Sequence, residues 1–254
     1  MKGFIFVLLD GLGVDTARRC MSCLAALVEA GAARYGELTA VLPPLSRPVY
    51  ASLLSGRTPA ANGILHNDNA SLCPAATIFH DARRHGLVTA AAAYSWMSEL
   101  CNRAPFAAER DRFTNDISLP ISHGFFYSSE AYPDDELFRD AEWLRQKFSP
   151  RLLLIHCMGI DYAGHRHGAG STAYRDAARA ADGLLARYLP TWVEAGYAAL
   201  VTSDHGMGDE KSHCDTTYEA RRVPLWCIGA ARDCPLPRRQ TEIAGMISTC
   251  LQLT

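Results

Sequence analysis

Apolar residues fall along this chain in short unbroken runs, separated by stretches in which they recur at helical spacing. The runs are Phe4–Leu9, Leu87–Tyr94, Leu152–Cys157, Ala198–Thr202 and Val223–Ile228. Runs of this length without polar alternation suit parallel strands covered on both faces. Between them, Asp15–Ala30 carries apolar residues at helical spacing, Ala75–His85 stops at Gly86, Asp134–Phe148 follows Tyr132-Pro133, and Thr172–Ala195 stops at Gly196. Glycine just past a helix accepts the left-handed conformation that ends it. Strand and helix alternating in this way predict an α/β fold, with a mostly parallel central sheet flanked by helices on both faces. The segment 101–129 breaks the pattern with mixed charge, two prolines and several aromatics, and reads as a small lid or an irregular connection. No repeat or low-complexity tract divides the chain, so 1–254 reads as one domain.

Composition narrows the function classes. With 254 residues, 48% hydrophobic and 20% charged, the chain can bury a substantial core. A net charge of -2 gives no general attraction to nucleic acid or anionic membrane, so an anionic substrate must be held locally, by metals or helix ends. Nine cysteines, scattered from Cys20 to Cys250, form no framework and read as free, mostly buried thiols in a reducing compartment. Lys2 and the apolar run after it resemble a short signal peptide, but Asp10 interrupts the run and no small-residue cleavage site follows. Nothing approaches the roughly 20 apolar residues that span a bilayer. The expectation is a soluble cytoplasmic enzyme, with a homodimer as the commonest assembly for that class.

The chemistry lies where the strands end. Ligands of open α/β sheets sit at the carboxyl ends of the strands. Asp10 closes the first run, in Leu9-Asp10-Gly11; Asp161 and His165 follow the Leu152–Cys157 run, in Gly159-Ile160-Asp161-Tyr162-Ala163-Gly164-His165. Asp204-His205 closes the Ala198–Thr202 run, ahead of Gly206, which permits a sharp turn, and His213 comes eight residues after His205. Each piece alone is ordinary, since a single Asp after a strand is usually a turn residue or helix cap. Together, carboxylates and imidazoles leave three strands at one edge, as a divalent metal site requires.

At these positions the sequence resembles the alkaline phosphatase superfamily, particularly its nucleotide pyrophosphatase/phosphodiesterase-like branch. The resemblance runs from Phe4 to Gly229. Asp10 matches the Asp at the end of the family's first strand. The family's nucleophile precedes a Ser/Thr-Gly pair by a fixed interval; here the pair is Ser55-Gly56, and Ser46 stands ten residues before Gly56, where the phosphodiesterases usually carry Thr. Arg57-Thr58-Pro59-Ala60-Ala61-Asn62-Gly63-Ile64 is similar to the family's Pro-x-x-x-Gly-Ile stretch. Asn67, 21 residues after Ser46, falls where that branch keeps a phosphate-binding Asn.

The resemblance implies two divalent metal ions, zinc or alternatively manganese. Asp10, Asp204, His205 and the Ser46 oxygen would hold one; Asp161, His165 and His213 would hold the other, with His167 as the substitute for His213. It implies hydrolysis of a small phosphoester through a phosphoseryl intermediate on Ser46. Metal coordination makes a serine alkoxide accessible, two ions about 4 Å apart stabilise attacking and leaving oxygens, and the helix that Pro48 starts presents free N–H groups to the phosphoryl group.

Rival readings remain open at this stage. Sulfatases place a modified Cys or Ser in a Cys/Ser-x-Pro-x-Arg context at this interval, and Ser46-Arg47-Pro48-Val49-Tyr50 departs from it at Tyr50. Phosphosugar mutases carry a large inserted domain, for which Gly63 to Asp161 leaves little room. A non-catalytic homologue would have lost part of the ligand set. Between phosphomonoesters and phosphodiesters, Asn67 favours diesters, and no arginine stands out as a phosphate clamp, with Arg47 beside Ser46 the candidate. Cys20-Met21-Ser22-Cys23 lies within a helical stretch without a second pair, so a metal or redox role is not expected. His66, His80, His85, His123 and His156 belong to no motif. Gly11-Leu12-Gly13 lacks the third glycine of a dinucleotide fingerprint.

Overall fold

The computed structural model of the chain describes residues 1–214 and 216–253. Its eight strands form one sheet: β1 (Gly3–Leu9), β2 (Ala33–Thr39), β3 (Thr89–Tyr94), β4 (Phe113–Asn115), β5 (His123–Tyr127), β6 (Leu152–Cys157), β7 (Tyr197–Thr202) and β8 (Arg222–Ile228). Their order is β2-β8-β7-β1-β6-β3-β5-β4. The central run β7-β1-β6-β3-β5 is parallel, while β8 pairs antiparallel with β7 and β2, and β4 antiparallel with β5. The sheet is therefore mostly parallel, as its apolar runs predict. The run Val223–Ile228 is a correction: burial on both faces demands apolar residues whichever way a strand points, so the run carried no information on direction.

Side chains alternate across β1 between two cores. Phe4, Phe6 and Leu8 join the helices Ser46–Ser55, Ile78–Arg84 and Ile243–Leu251. Ile5, Val7 and Leu9 face Val14–Cys20, Ser22–Glu29, Asp134–Phe148 and Thr172–Glu194. Each such side chain, fully buried, contributes about 1.5–3 kcal/mol.

Two further expectations are corrected. The stretch Asp15–Ala30 forms two helices meeting at Met21. The second opens under the buried Asp182 of helix Thr172–Glu194, whose carboxylate accepts from the N–H groups of Cys23 (2.8 Å) and Leu24 (3.2 Å) and the hydroxyl of Ser22 (3.4 Å). A carboxylate there satisfies amides that a new helix leaves free and complements its dipole. The segment 101–129 supplies the sheet edge, β4 and β5, and a short helix, Ala108–Asp111. Among the described residues no helix is long and apolar enough to cross a membrane.

Candidate active site

Three neighbouring strands, β7, β1 and β6, end side by side, and their carboxyl ends carry the site. Asp10 follows β1, Asp204 and His205 follow β7, and Asp161 lies in the helix Gly159–His167 that follows β6. In that helix Asp161 and His165 are four residues apart and so share a face, with His165 Nε2 3.4 Å from Asp161 Oδ2. Gly206 acts by close approach: a Cβ there would stand 1.9 Å from the Glu219 carbonyl oxygen. Its N–H donates to the Ala220 carbonyl (2.9 Å), which ties the segment after His205 to the chain before β8.

Ser46 opens the helix Ser46–Ser55, whose apolar residues Val49, Leu53 and Leu54 are buried against the sheet. Gly56 ends that helix at a φ of 70°, its N–H donating to Ser52 O (2.9 Å). The fixed interval from Ser46 to Gly56 is thus the length of one helix, from first residue to left-handed cap. The helix places Ser46 Oγ 3.0 Å from His205 Nε2.

All three imidazoles are set the same way. Nδ1 of His205 lies 2.9 Å from Gly206 O, that of His213 2.8 Å from Pro44 O, and that of His165 2.9 Å from Lys211 O. A carbonyl only accepts, so each Nδ1 carries the proton and each Nε2 presents a lone pair. Burial depresses the values of His205 and His213 to about 3, keeping both neutral. The His205 lone pair meets Asp204 Oδ2 at 3.1 Å and Asp10 Oδ1 at 3.5 Å. Lone pair against ionised carboxylate is repulsive unless a proton or a metal cation stands between.

Asp204 and Asp10 each have one anchored oxygen and one orphan. Asp204 Oδ1 accepts from the Gly11 N–H (3.2 Å) and from Ser203 Oγ (3.4 Å). Asp10 Oδ2 accepts from Tyr50 Oη and from His156 Nε2 (3.0 Å). Asp204 Oδ2, Asp10 Oδ1 and Asp161 Oδ1 are buried without a hydrogen-bond partner. Crowding shows in their titration. Burial, together with the charges of Asp204 and Asp161, raises Asp10 well above the ordinary range; burial and Asp204 do the same for Asp161. Burial lifts Asp204 to about 6.

The donor set fits divalent metal. Asp10, Asp204 and His205 offer ligand atoms within 4.8 Å of one another, and so do Asp161, His205 and His213. Ligands of one tetrahedral zinc ion stand roughly 3.3 Å apart. Ser46 Oγ, Asp204 Oδ2 and Asp10 Oδ1 lie 3.0, 3.1 and 3.5 Å from His205 Nε2.

Asp10, Ser46, Asp161, Asp204, His205 and His213 come together, whereas His165, expected beside Asp161 and His213, lies outside both three-ligand groups on the rim, its side chain 40% exposed. Its ring centroid is 5.1 Å from that of His213, which in turn stacks on His205 at 3.5 Å. His167 is exposed. Asn67 reaches the helix that begins at Ser46, where its Oδ1 accepts the Arg47 N–H (3.1 Å). Pro48 has no N–H, so this helix start offers fewer free donors to a phosphoryl group than its sequence predicts. Arg47 is not a free clamp: its guanidinium pairs with Glu99 (2.8 Å), donates to Asn69 O (2.7 Å) and lies over Trp96. Tyr50 and His156 were missed. Their signals were present, since Tyr50 lies one helical turn from Ser46, and His156 pairs with Leu8, two residues before Asp10.

Residues 4–223, which hold every one of these groups, match the type I phosphodiesterase / nucleotide pyrophosphatase family. The chain belongs to that family. It is thereby a member of a family of phosphoester hydrolases within the alkaline phosphatase superfamily. Among solved structures, this phosphodiesterase-family chain resembles murine ectonucleotide pyrophosphatase / phosphodiesterase 5, with a TM-score of 0.73 at 14% identity, covering 99% of this chain and 95% of that one. An inactive form of that murine protein has been solved with AMP. Alkaline phosphatase from the Antarctic bacterium TAB5 gives 0.65 at 14% identity, covering 100% and 99%, and a variant of it holds Mg in its M3 site. These likenesses show a shared fold. A 92-residue stretch, 34% of this chain, is 33% identical to GPI ethanolamine phosphate transferase 1 of Yarrowia lipolytica (strain CLIB 122 / E 150) and spans 10% of that transferase.

Proposed function

We propose that this family member is a metal-dependent phosphodiesterase that works through a phosphoseryl intermediate on Ser46 and takes two divalent ions. The observation that carries the reading is the meeting of Ser46 Oγ, the His205 lone pair and two orphaned carboxylate oxygens within hydrogen-bonding distance or little more, a cluster of donors that a divalent cation would satisfy together. Asp10, Asp204, His205 and Ser46 would hold one ion; Asp161, His165 and His213 would hold the other. Zinc suits these imidazole and carboxylate donors, with manganese the alternative. When bound, the ions neutralise charge on the phosphoryl group and make a serine oxygen nucleophilic near neutral pH.

The chain's own groups do the rest. The helix beginning at Ser46 fixes Oγ at the site. Ser46 loses its proton, Oγ attacks phosphorus, and the bond to the leaving oxygen breaks as that alcohol departs with a proton. Water then cleaves the Ser46 phosphoester, releasing a phosphomonoester and restoring the hydroxyl. Asn67, held against the helix start through Oδ1, keeps its amide N–H groups for a phosphoryl oxygen.

Diesters are favoured because Arg47, the arginine beside the nucleophile, is committed to Glu99 and leaves the second charge of a monoester without a partner. AMP in the murine relative makes nucleotide diesters the first substrates to try. The test is turnover of bis-p-nitrophenyl phosphate against p-nitrophenyl phosphate and p-nitrophenyl sulfate by zinc- or manganese-loaded protein. Preference for the diester supports the proposal. Preference for the monoester keeps Ser46 and the metals but removes the role given to Arg47 and Asn67; sulfate ester turnover alone replaces the phosphoesterase reading.

A further inference from the structure

Asp10 is the one carboxylate of the site anchored by two side chains, Tyr50 and His156. Tyr50 Oη and His156 Nε2 both donate to its Oδ2, and both are fully buried. The two rings lie edge to face with centroids 4.7 Å apart, so each fixes the other's approach. Tyr50 comes from the helix that carries Ser46, and His156 from β6, the strand that leads into the Asp161 helix. Nε2 of His156 faces a carboxylate oxygen at 3.0 Å and so donates its N–H there. With Oδ2 occupied twice, Oδ1 is the oxygen left without a partner, and it faces His205 Nε2 at 3.5 Å.

We propose that Tyr50 and His156 are positioning residues that make Asp10 a ligand through Oδ1 alone. This rests on the metal-dependent reading above. A carboxylate free to rotate or to chelate through both oxygens would change the count and direction of donors at the Ser46 ion; the two hydrogen bonds remove that freedom. They also couple the nucleophile to the ion, because the helix that presents Ser46 is the helix that clamps Asp10. Outer partners of metal ligands of this kind typically change metal affinity by about 10–100-fold.

The test is zinc binding to the whole protein, measured by competition with a chromogenic chelator and by metal content, for wild type, Tyr50→Phe, His156→Gln and His156→Ala. Tyr50→Phe keeps the ring and its packing but removes the donor. The expected result is two ions on wild type, with one of them held about 10–100-fold more weakly by Tyr50→Phe and the other unchanged. His156→Gln retains an N–H donor and should bind closer to wild type than His156→Ala. Weakening confined to one ion separates positioning from general loosening, which would weaken both. Two ions bound with wild-type affinity by both Tyr50→Phe and His156→Ala would overturn this proposal while leaving the phosphodiesterase reading standing. A wild-type protein that binds no ion overturns both.

Discussion

At the scale of the residue, the site turns on which atom of each side chain is left over. Asp10, Asp161, Asp204 and the three histidines are individually ordinary residues. What distinguishes Asp10, Asp204 and the three histidines is that each spends one polar atom on the fold and leaves one facing its neighbours, while Asp161 keeps a buried oxygen without a partner. Ser46 is the exception, since its one polar atom, Oγ, faces His205 Nε2 at 3.0 Å. Ser46→Ala should lower turnover of the diester by at least ~10³-fold, as loss of a nucleophile does. Metal content should stay near wild type, because Asp10, Asp204 and His205 remain. Near-normal turnover with intact metal would sink the phosphoseryl mechanism. The ligand types and their strand-end positions were legible in the sequence, because a carboxylate ending an apolar run is a local pattern. The anchoring of Asp10 by Tyr50 and His156 was not, because both contacts join segments 40 or more residues apart.

Elements that bury both faces were legible; elements at the margins were not. The runs that predicted β1, β3, β6, β7 and β8 are buried throughout or nearly so. Strand β2, with the sequence Ala33-Arg34-Tyr35-Gly36-Glu37-Leu38-Thr39, is an edge strand buried only at Ala33 and Leu38 and has no run to read. The break at Met21 was hidden for a different reason: its cause, Asp182, lies 158 residues or more along the chain from the amides it caps. Asp182→Ala leaves two amides beneath the long helix without their acceptor and should cost about 2 kcal/mol. Urea denaturation should register this as a lower midpoint at unchanged slope. Asp182→Asn, which keeps one acceptor oxygen, should recover part of the loss. A midpoint shift worth less than ~0.5 kcal/mol would mean that water satisfies those amides and that the helix break has another cause.

For the molecule as a whole, the metal-free fold carries its site as a cost that depends on pH. Burial and mutual repulsion raise Asp10 and Asp161, and burial lifts Asp204 from an ordinary 3.8 to about 6. A carboxyl raised in the folded state binds its proton more tightly there than in the unfolded chain. Its contribution to stability is complete below the unfolded value and is lost as pH rises through the folded one. His205 and His213, held neutral down to about 3, do not compete with a cation for protons above that value. Cation binding to the folded protein must therefore displace protons from carboxyl groups, so zinc should bind more tightly as pH rises through about 6. The rise in melting temperature on adding zinc to chelator-treated protein should be small at pH 5 and grow toward pH 8, because ligand stabilisation follows affinity for the folded state. Titration calorimetry at pH 6 in two buffers of different ionisation heat should show proton release. An equal zinc-induced increment at pH 5 and pH 8, with no proton released, would mean that the three carboxylates are already ionised without metal. The raised titration of Asp10, Asp161 and Asp204 would then fall, and with it the pH dependence of the site, while the metal centre itself would stand.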